Sequence, residues 1–207
     1  MSVPAIRVVK IGGSLFDYSD LAATWNQWLS RESKMMTVII AGGGPYADLV
    51  RQWDKQFQLS EETAHWMCVT SMSITAALLH QQLPGALLID DWLTLKEWMS
   101  SDNPADSSVF LVESFLESGE TSLPGDSLPR SWAVTSDSIA ARLAEVLSAE
   151  ELVLCKSASI SPESDWQQLA DEGFVDQYFP EIAARLPVVR WLNLRSTNVV
   201  SETPVVS

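Results

Sequence analysis

Residues 6–14 read IRVVKIGGS, a short run rich in β-branched residues that ends in two glycines. Such a run predicts a buried strand that enters a tight turn. The pattern recurs over residues 37–44, TVIIAGGG, and the following Pro45 suits the first turn of a helix. Strand, glycine turn and helix therefore occur twice near the start of the chain.

The remaining sequence continues this alternation. Further strands are expected at 86–89, 109–112, 152–156 and 188–194, and helices at about 20–30, 60–83, 93–99 and 137–147. The breakers at 124, 125 and 129 predict a loop over 118–130, after which residues 132–134 resume the alternation. Alternating strands and helices favour an α/β fold, a three-layer αβα sandwich with a mainly parallel central sheet. We expect a single domain over 1–195 and a frayed C-terminal tail over 196–207.

The composition restricts the class of protein and its partners. Of the 207 residues, 46% are hydrophobic and 19% are charged, which is enough apolar surface for a sizeable core and excludes disorder. Thirteen Lys and Arg against 27 Asp and Glu give a net charge of −14. So acidic a surface repels nucleic acid and anionic membranes. An anionic small substrate must then be attracted by a local cluster of cations and backbone N–H groups.

The two cysteines, Cys68 and Cys155, are too few for a disulfide framework and have no zinc-site spacing. No segment has the pattern of a secretion signal or a membrane span. The sequence predicts a cytoplasmic protein.

The first glycine turn has the chemistry of a phosphate site. The P-loop and dinucleotide fingerprints are both absent, but Lys10 precedes Gly12 and Gly13, and Ser14 follows. A strand-end cation beside backbone N–H groups and a hydroxyl suits phosphate oxygens. The alternative is an ordinary tight turn with a solvated lysine.

The second turn, Gly42, Gly43 and Gly44, has the same strand-to-helix setting. In a parallel sheet such turns share the edge at the carboxyl ends of the strands, where α/β proteins bind ligands. The two turns are therefore candidates for opposing halves of one crevice. Alternatively, the three glycines only relieve crowding in a strained turn.

Asp137 and Lys156 are expected at the same edge. Asp137 opens a helix and could cap it, orient a lysine or receive a metal. Lys156 ends an apolar strand and could equally emerge into solvent. Together with Lys10 the set suits phosphoryl transfer, in which positive charge is held against the transferring oxygens.

Two residues are candidates for the acceptor. Arg51 and His65 lie on the helices that follow the second turn, where an anionic acceptor needs donors. Each has a structural alternative, because Arg51 can pair with Asp48 or Asp54 and His65 can simply pack between apolar neighbours. The helical tryptophans are expected in the core, and some could form an oligomer interface. That set comprises Trp25, Trp28, Trp53, Trp66, Trp92 and Trp98.

Four ordered motifs resemble those of the amino acid kinase family: KIGGSL at 10–15, AGGGP at 41–45, TSDSIAA at 135–141 and LVLCKS at 152–157. The resemblance implies an αβα kinase that uses ATP and Mg²⁺ and binds a small anionic acceptor. It implies catalytic roles for Lys10, Lys156 and Asp137, with the lysines on the transferring phosphate. It places the nucleotide at Gly12, Gly13, Ser14, Ser136 and Ser157, the acceptor at Gly42, Gly43, Gly44, Arg51 and His65, and backbone donors at Gly12, Gly13, Gly42 and Gly43, with no metal ligand from the protein.

Within this family the chain most resembles the short kinases of methanopterin biosynthesis, which phosphorylate an aminomethylfuran-methanol phosphate. The motifs behind this are ADLVR at 47–51, HWM at 65–67, SWAVTSD at 131–137 and GFVD at 173–176. The family often has Val-Asp-Gly after the last lysine strand, but here residues 158–160 are ASI. This predicts a nucleotide-site acid that is missing or displaced to Asp165 or Asp176. The alternative function is a regulatory module that binds a nucleotide or ligand without turnover.

Overall fold

The computed structural model describes residues 5–101, 106–161, 163–196 and 201–204. Within them, seven strands form one sheet in the order β3-β4-β2-β1-β5-β6-β7. The strands are β1 (Ile6–Ile11), β2 (Met36–Ala41), β3 (Leu87–Ile89), β4 (Ser107–Phe110), β5 (Glu151–Lys156), β6 (Val189–Asn193) and β7 (Ser201–Glu202).

Six strands are parallel, and β7 alone pairs antiparallel, with β6. Strand β1 is central, with Lys10 opposite Ile40 of β2 on one side and Leu154 of β5 on the other. The residues that follow β1, β2 and β5 therefore meet at one edge of the sheet. This is the arrangement that the two glycine turns predict.

Helices cover both faces of the sheet. They are α1 (Leu21–Leu29), α2 (Gly44–Phe57), α3 (Glu61–Gln82), α4 (Trp92–Met99), α5 (Ser136–Val146), α6 (Trp166–Asp171) and α7 (Phe179–Ala183). Successive side chains of the buried strands point alternately into two hydrophobic cores, one on each face of the sheet. One contains Val9 and Ile11 with residues of α1 and α3, and the other contains Val8 with residues of α4 to α7. The expected three-layer αβα sandwich with a mainly parallel sheet is confirmed.

Three local expectations are wrong. Residues 118–130 are not entirely loop, because Phe115–Gly119 form a π-helical turn and Glu120–Ser122 a 3₁₀ turn. Residues 132–134 form a turn before α5 and no strand. The tail is not frayed throughout, since β7 adds a strand to the sheet.

The buried ion pair between Glu120 and Arg142 explains the first error. Glu120 also accepts the backbone N–H of Leu128, at 3.0 Å, so a tertiary contact orders the segment. The division into a domain over 1–195 and a tail stays a prediction.

The tryptophans of α1 and α4 are buried, as expected for core residues, whereas Trp66 is half-buried and Trp53 is 39% exposed. Cys68 and Cys155 are free thiols. In the part of the chain that the structure describes, no helix is both long and apolar enough to span a bilayer.

Candidate active site

The core of the site is an ion-pair bridge between two lysines. The Lys10 Nζ atom lies 2.9 Å from Asp137 Oδ1, and the Lys156 Nζ atom lies 2.8 Å from Asp137 Oδ2. Lys10 comes from β1, Lys156 from the end of β5 and Asp137 from the first turn of α5. The structure thus brings together the three residues that the sequence assigns to catalysis.

The bridge has little contact with water. Lys10 and Asp137 are each only 4% exposed. The Lys156 ammonium also donates to the Phe174 carbonyl at 2.7 Å and lies 5.3 Å from the ring centre of Trp191. In so dry a site each charge acts strongly on any phosphate that enters.

Burial and mutual interaction shift the titration of this group. Burial lowers the pKa of Lys156 to about 8, although Asp137 opposes the shift. Burial alone would raise the pKa of Asp137, but Lys10 and Lys156 outweigh it and hold that pKa below its ordinary value. Asp137 therefore stays ionised and pairs with both lysines.

Asp137 is not the cap of α5. Its carboxylate faces the lysines, and the open end of the helix is bonded by Asp176, a residue distant in sequence. Asp176 accepts the N–H groups of Thr135 and Ser138 at 2.9 and 3.0 Å. Asp165 caps α6 in a similar way, through the Gln168 N–H, and a displaced nucleotide-site acid at either residue stays a prediction.

The two glycine turns touch each other. A Cβ atom on Gly13 would lie 2.6 Å from the Gly44 nitrogen, and Gly44 itself has a φ of +58°. Both positions therefore require glycine, one because of close approach and the other because of its backbone conformation. The two turns therefore lie side by side and line the same cleft, and their arrangement as its opposing halves stays a prediction.

The prediction that four glycine N–H groups are free to bind phosphate is wrong for Gly12 and Gly42. The Gly12 N–H donates to the Cys155 carbonyl and the Gly42 N–H to the Ile11 carbonyl, both at 2.8 Å. Gly13 and Gly43 differ because they lie where helical turns begin, and first-turn N–H groups have no intrahelical acceptor. Gly12 and Gly42 instead allow the backbones to approach closely.

A cleft of about 780 Å³ joins these features. Of the predicted site residues only Gly42 is absent from its walls. On the β5 side the Ser14 and Ser157 hydroxyls share a hydrogen bond of 2.8 Å. Ser136, at the start of α5, also lines the cleft.

Arg51 and His65 line the β2 side of the same cleft. Arg51 forms an exposed ion pair with Asp48 at 2.6 Å, the structural alternative that the sequence left open. Burial and then the charge of Arg130 lower the pKa of His65, so its imidazole is neutral at pH 7 and can donate a hydrogen bond without adding positive charge. Exposed pairs contribute little energy, so Arg51 can exchange Asp48 for an anionic ligand.

The sequence analysis assigns no individual site role to three residues that line the cleft: Trp132, Phe174 and Trp191. The Trp132 indole lies under the Arg51 guanidinium at 5.5 Å and donates to Asp54 at 2.8 Å. Phe174 contributes a backbone carbonyl, which has no side-chain signal in the sequence. Among the described residues, no group of three or more His, Cys, Asp or Glu could hold a metal ion.

Comparisons with known proteins give three findings. The sequence model of the amino acid kinase family matches residues 5–159. A curated relative, the (5-(aminomethyl)furan-3-yl)methyl phosphate kinase of Methanocaldococcus jannaschii, is 27% identical over 150 residues. The matched part is 72% of this chain and 64% of that relative, so the chain spans less than two thirds of its length.

Solved structures share the fold at low sequence identity. The uridylate kinase of Archaeoglobus fulgidus is 20% identical with a TM-score of 0.59, and the match covers 89% of this chain and 88% of that one. The UMP kinase of Ureaplasma parvum is 13% identical with a TM-score of 0.64, covering 96% and 93%.

Proposed function

Because the chain belongs to the amino acid kinase family, we propose that it is an ATP-dependent phosphotransferase whose acceptor is a small phosphate monoester. The observation that carries this proposal is the buried Lys10–Asp137–Lys156 bridge in the wall of the cleft. Phosphoryl transfer needs positioned positive charge more than it needs covalent chemistry from the protein.

The strand order supports a direction for the transfer. Strands β2, β1, β5 and β6 are consecutive neighbours, each about 4.8 Å from the next. Arg51, His65 and the second glycine turn follow β2, whereas Ser157 follows β5. The acceptor then lies over β2, the transferring phosphoryl group over β1 and β5, and the nucleotide over β5 and β6.

A phosphate acceptor fits the carboxylates of the site. Asp137 is held ionised by two lysines, which makes it a weak base, and Asp176 is engaged at the start of α5. An alcohol acceptor needs a base to remove its proton, but a phosphate monoester is largely ionised at pH 7. Its oxygen attacks the γ-phosphorus without deprotonation.

The name of the M. jannaschii relative supplies the finer proposal, an aminomethylfuran-methanol phosphate acceptor. Arg51 would bind the acceptor phosphate, and neutral His65 would donate one hydrogen bond to it. Mg²⁺ would enter with ATP, held mainly by the phosphates, since Mg²⁺ usually keeps few protein ligands. It would neutralise the charge that develops on the β- and γ-oxygens.

One observation favours a second function, nucleotide binding without turnover. Residues 158–160 are ASI where the family often has Val-Asp-Gly, and the carboxylates of Asp165 and Asp176 accept N–H groups at the starts of α6 and α5. Purified protein should therefore be assayed with ATP and Mg²⁺ for both transfer and nucleotide binding. Nucleotide binding without transfer to any acceptor would support this second function.

The test compares phosphorylated acceptors with their dephosphorylated forms. We expect transfer only to the phosphorylated forms, and Lys10→Ala should lower kcat by about a thousandfold or more, because the ammonium acts mainly in the transition state. Arg51→Ala should raise KM about tenfold for the phosphorylated acceptor. Full turnover by a folded Lys10→Ala variant, or equal use of both acceptor forms, would contradict the proposal.

A further inference from the structure

We propose that Arg195 binds the β-phosphate of the nucleotide, a role that rests on the proposed function. Arg195 lies two residues beyond the end of β6 and outside the stretch matched by the family model. Because β6 is parallel to β5, this position is at the same edge of the sheet as the lysines. Arg195 does not itself line the cleft, but both of its polar partners, Ser14 and Asp17, do.

The side chain of Arg195 reaches back across the β5 strand to the first glycine turn. Its Nη2 atom donates to the Ser14 carbonyl at 2.8 Å and forms an ion pair with Asp17. The guanidinium lies 5.5 Å from the ring centre of Tyr18. Thus Arg195 contacts the very turn that the sequence assigns to phosphate binding.

Hydrogen bonds hold the backbone at Arg195, so the position of this residue is defined. Its N–H donates to Asn193 Oδ1 at 2.9 Å, and the preceding Leu194 N–H donates to the Lys156 carbonyl at 3.0 Å. The loops after β1, β5 and β6 are thereby joined, with the Ser14–Ser157 hydrogen bond completing the set. A side-chain cation on so well fixed a backbone needs little reorganisation when a ligand binds.

The guanidinium itself stays accessible. The Arg195 side chain is 38% exposed, and its acidic partner Asp17 is 75% exposed and lines the cleft. Both polar contacts use Nη2, whereas a guanidinium carries five N–H donors in a planar fork suited to phosphate oxygens. In a chain of net charge −14, a cation at this place is a specific feature of the site.

In phosphoryl transfer, the Arg195 cation would stabilise the negative charge that develops on the leaving phosphate. In the transfer, a bond forms between an acceptor oxygen and the γ-phosphorus while the γ-phosphorus separates from the β–γ bridging oxygen. The electron pair of the broken bond remains on the β-phosphate of ADP. Lys10 and Lys156 hold the transferring group, and Arg195 lies beyond Ser14 and Ser157, where the leaving phosphate gains negative charge.

The experiment separates phosphate binding from a purely structural clamp. Dissociation constants for ADP and AMP, with Mg²⁺, are measured by calorimetry on the full chain and on Arg195→Met, Asp17→Asn and Arg31→Met. Arg195→Met should weaken ADP binding about tenfold or more, as expected for a lost charge-assisted hydrogen bond, and weaken AMP much less. Asp17→Asn should leave ADP binding equal or tighter, because it removes the competing carboxylate. The exposed Arg31, after α1, is the matched control and should change neither constant.

Equal weakening by Arg195→Met and Asp17→Asn would show that the pair is only a clamp and would overturn the proposal. Unchanged ADP binding in Arg195→Met would overturn it as well. If Arg195→Met does not fold, Arg195→Lys replaces it, and weaker ADP binding is again expected because lysine lacks the fork. If the wild-type chain transfers phosphate but the variants bind ADP normally, this inference alone fails. If the wild type binds no nucleotide, the proposed function fails with it.

Discussion

At the scale of single residues, Lys156 makes the proposed activity sensitive to pH. Burial lowers the pKa of Lys156 to about 8, and only the protonated ammonium attracts a phosphate. The charged form is thus present below pH 8 and is lost as the pH rises through that value. We expect kcat/KM, which reports the free enzyme, to fall about tenfold for each pH unit above the pKa.

The variant Asp137→Asn tests the origin of this pH limit. Asp137 favours the charged form of Lys156, so its neutral replacement should move the alkaline limb to lower pH as well as lower the rate. A pH profile of each protein measures both effects. An alkaline limb that stays in the same place in Asp137→Asn would show that Lys156 does not cause it.

At the scale of elements, Asp176 fixes the start of α5. Asp176 is 8% exposed and accepts bonds from Thr135 and Ser138, whereas Thr135, the first residue before the helix, makes no side-chain cap. Asp176→Ala leaves these donors unpaired, which costs about 2 kcal/mol of unfolding free energy. For a chain of this size we expect a fall in Tm of roughly 4–8 °C.

The same change should lower transfer, because α5 carries Asp137 to the lysines. Asp165→Ala is the matched control, since Asp165 caps α6 through the Gln168 N–H at 2.7 Å. Its removal should cost about 1 kcal/mol and leave kcat unchanged. Thermal melts and steady-state rates are measured for the wild type, Asp176→Ala and Asp165→Ala. An unaltered Tm in Asp176→Ala would contradict the role of Asp176 in fixing the start of α5.

At the scale of the whole molecule, we expect two copies of the chain to associate through α2 and α3. Between Thr63 and Gln82, α3 contains no Asp, Glu, Lys or Arg, and Ile74 and Leu78 are about half exposed. Tyr46, Leu49 and Trp53 of α2 line an adjoining apolar groove with Ile74. Two chains of charge −14 repel each other, so a contact surface with few charges is favoured.

Light scattering after size exclusion measures this association. Ile74→Glu should convert dimers to monomers, whereas Val188→Glu, a comparable exposed apolar position just before β6, should not. A wild-type protein that is monomeric at high micromolar concentration would show that this prediction is wrong.

The sequence by itself determined the architecture and the chemical identity of the site. The two strand–glycine–helix units predicted the parallel sheet because burial of β-branched strands and the need for glycine in tight turns are local properties. Lys10 and Lys156 could be placed at one edge because each lies at or next to the carboxyl end of a strand. The edge itself followed from the parallel order of the strands.

Tertiary structure alone decided how these groups are used. The N–H groups of Gly12 and Gly42 are bonded to carbonyls of neighbouring strands, and Asp176 binds α5 while Asp137 bridges the lysines. Arg195 reaches Ser14 from 181 residues away. No local pattern encodes such contacts, because each depends on which backbone and side-chain atoms from distant segments satisfy one another's hydrogen bonds and charges when the chain is packed.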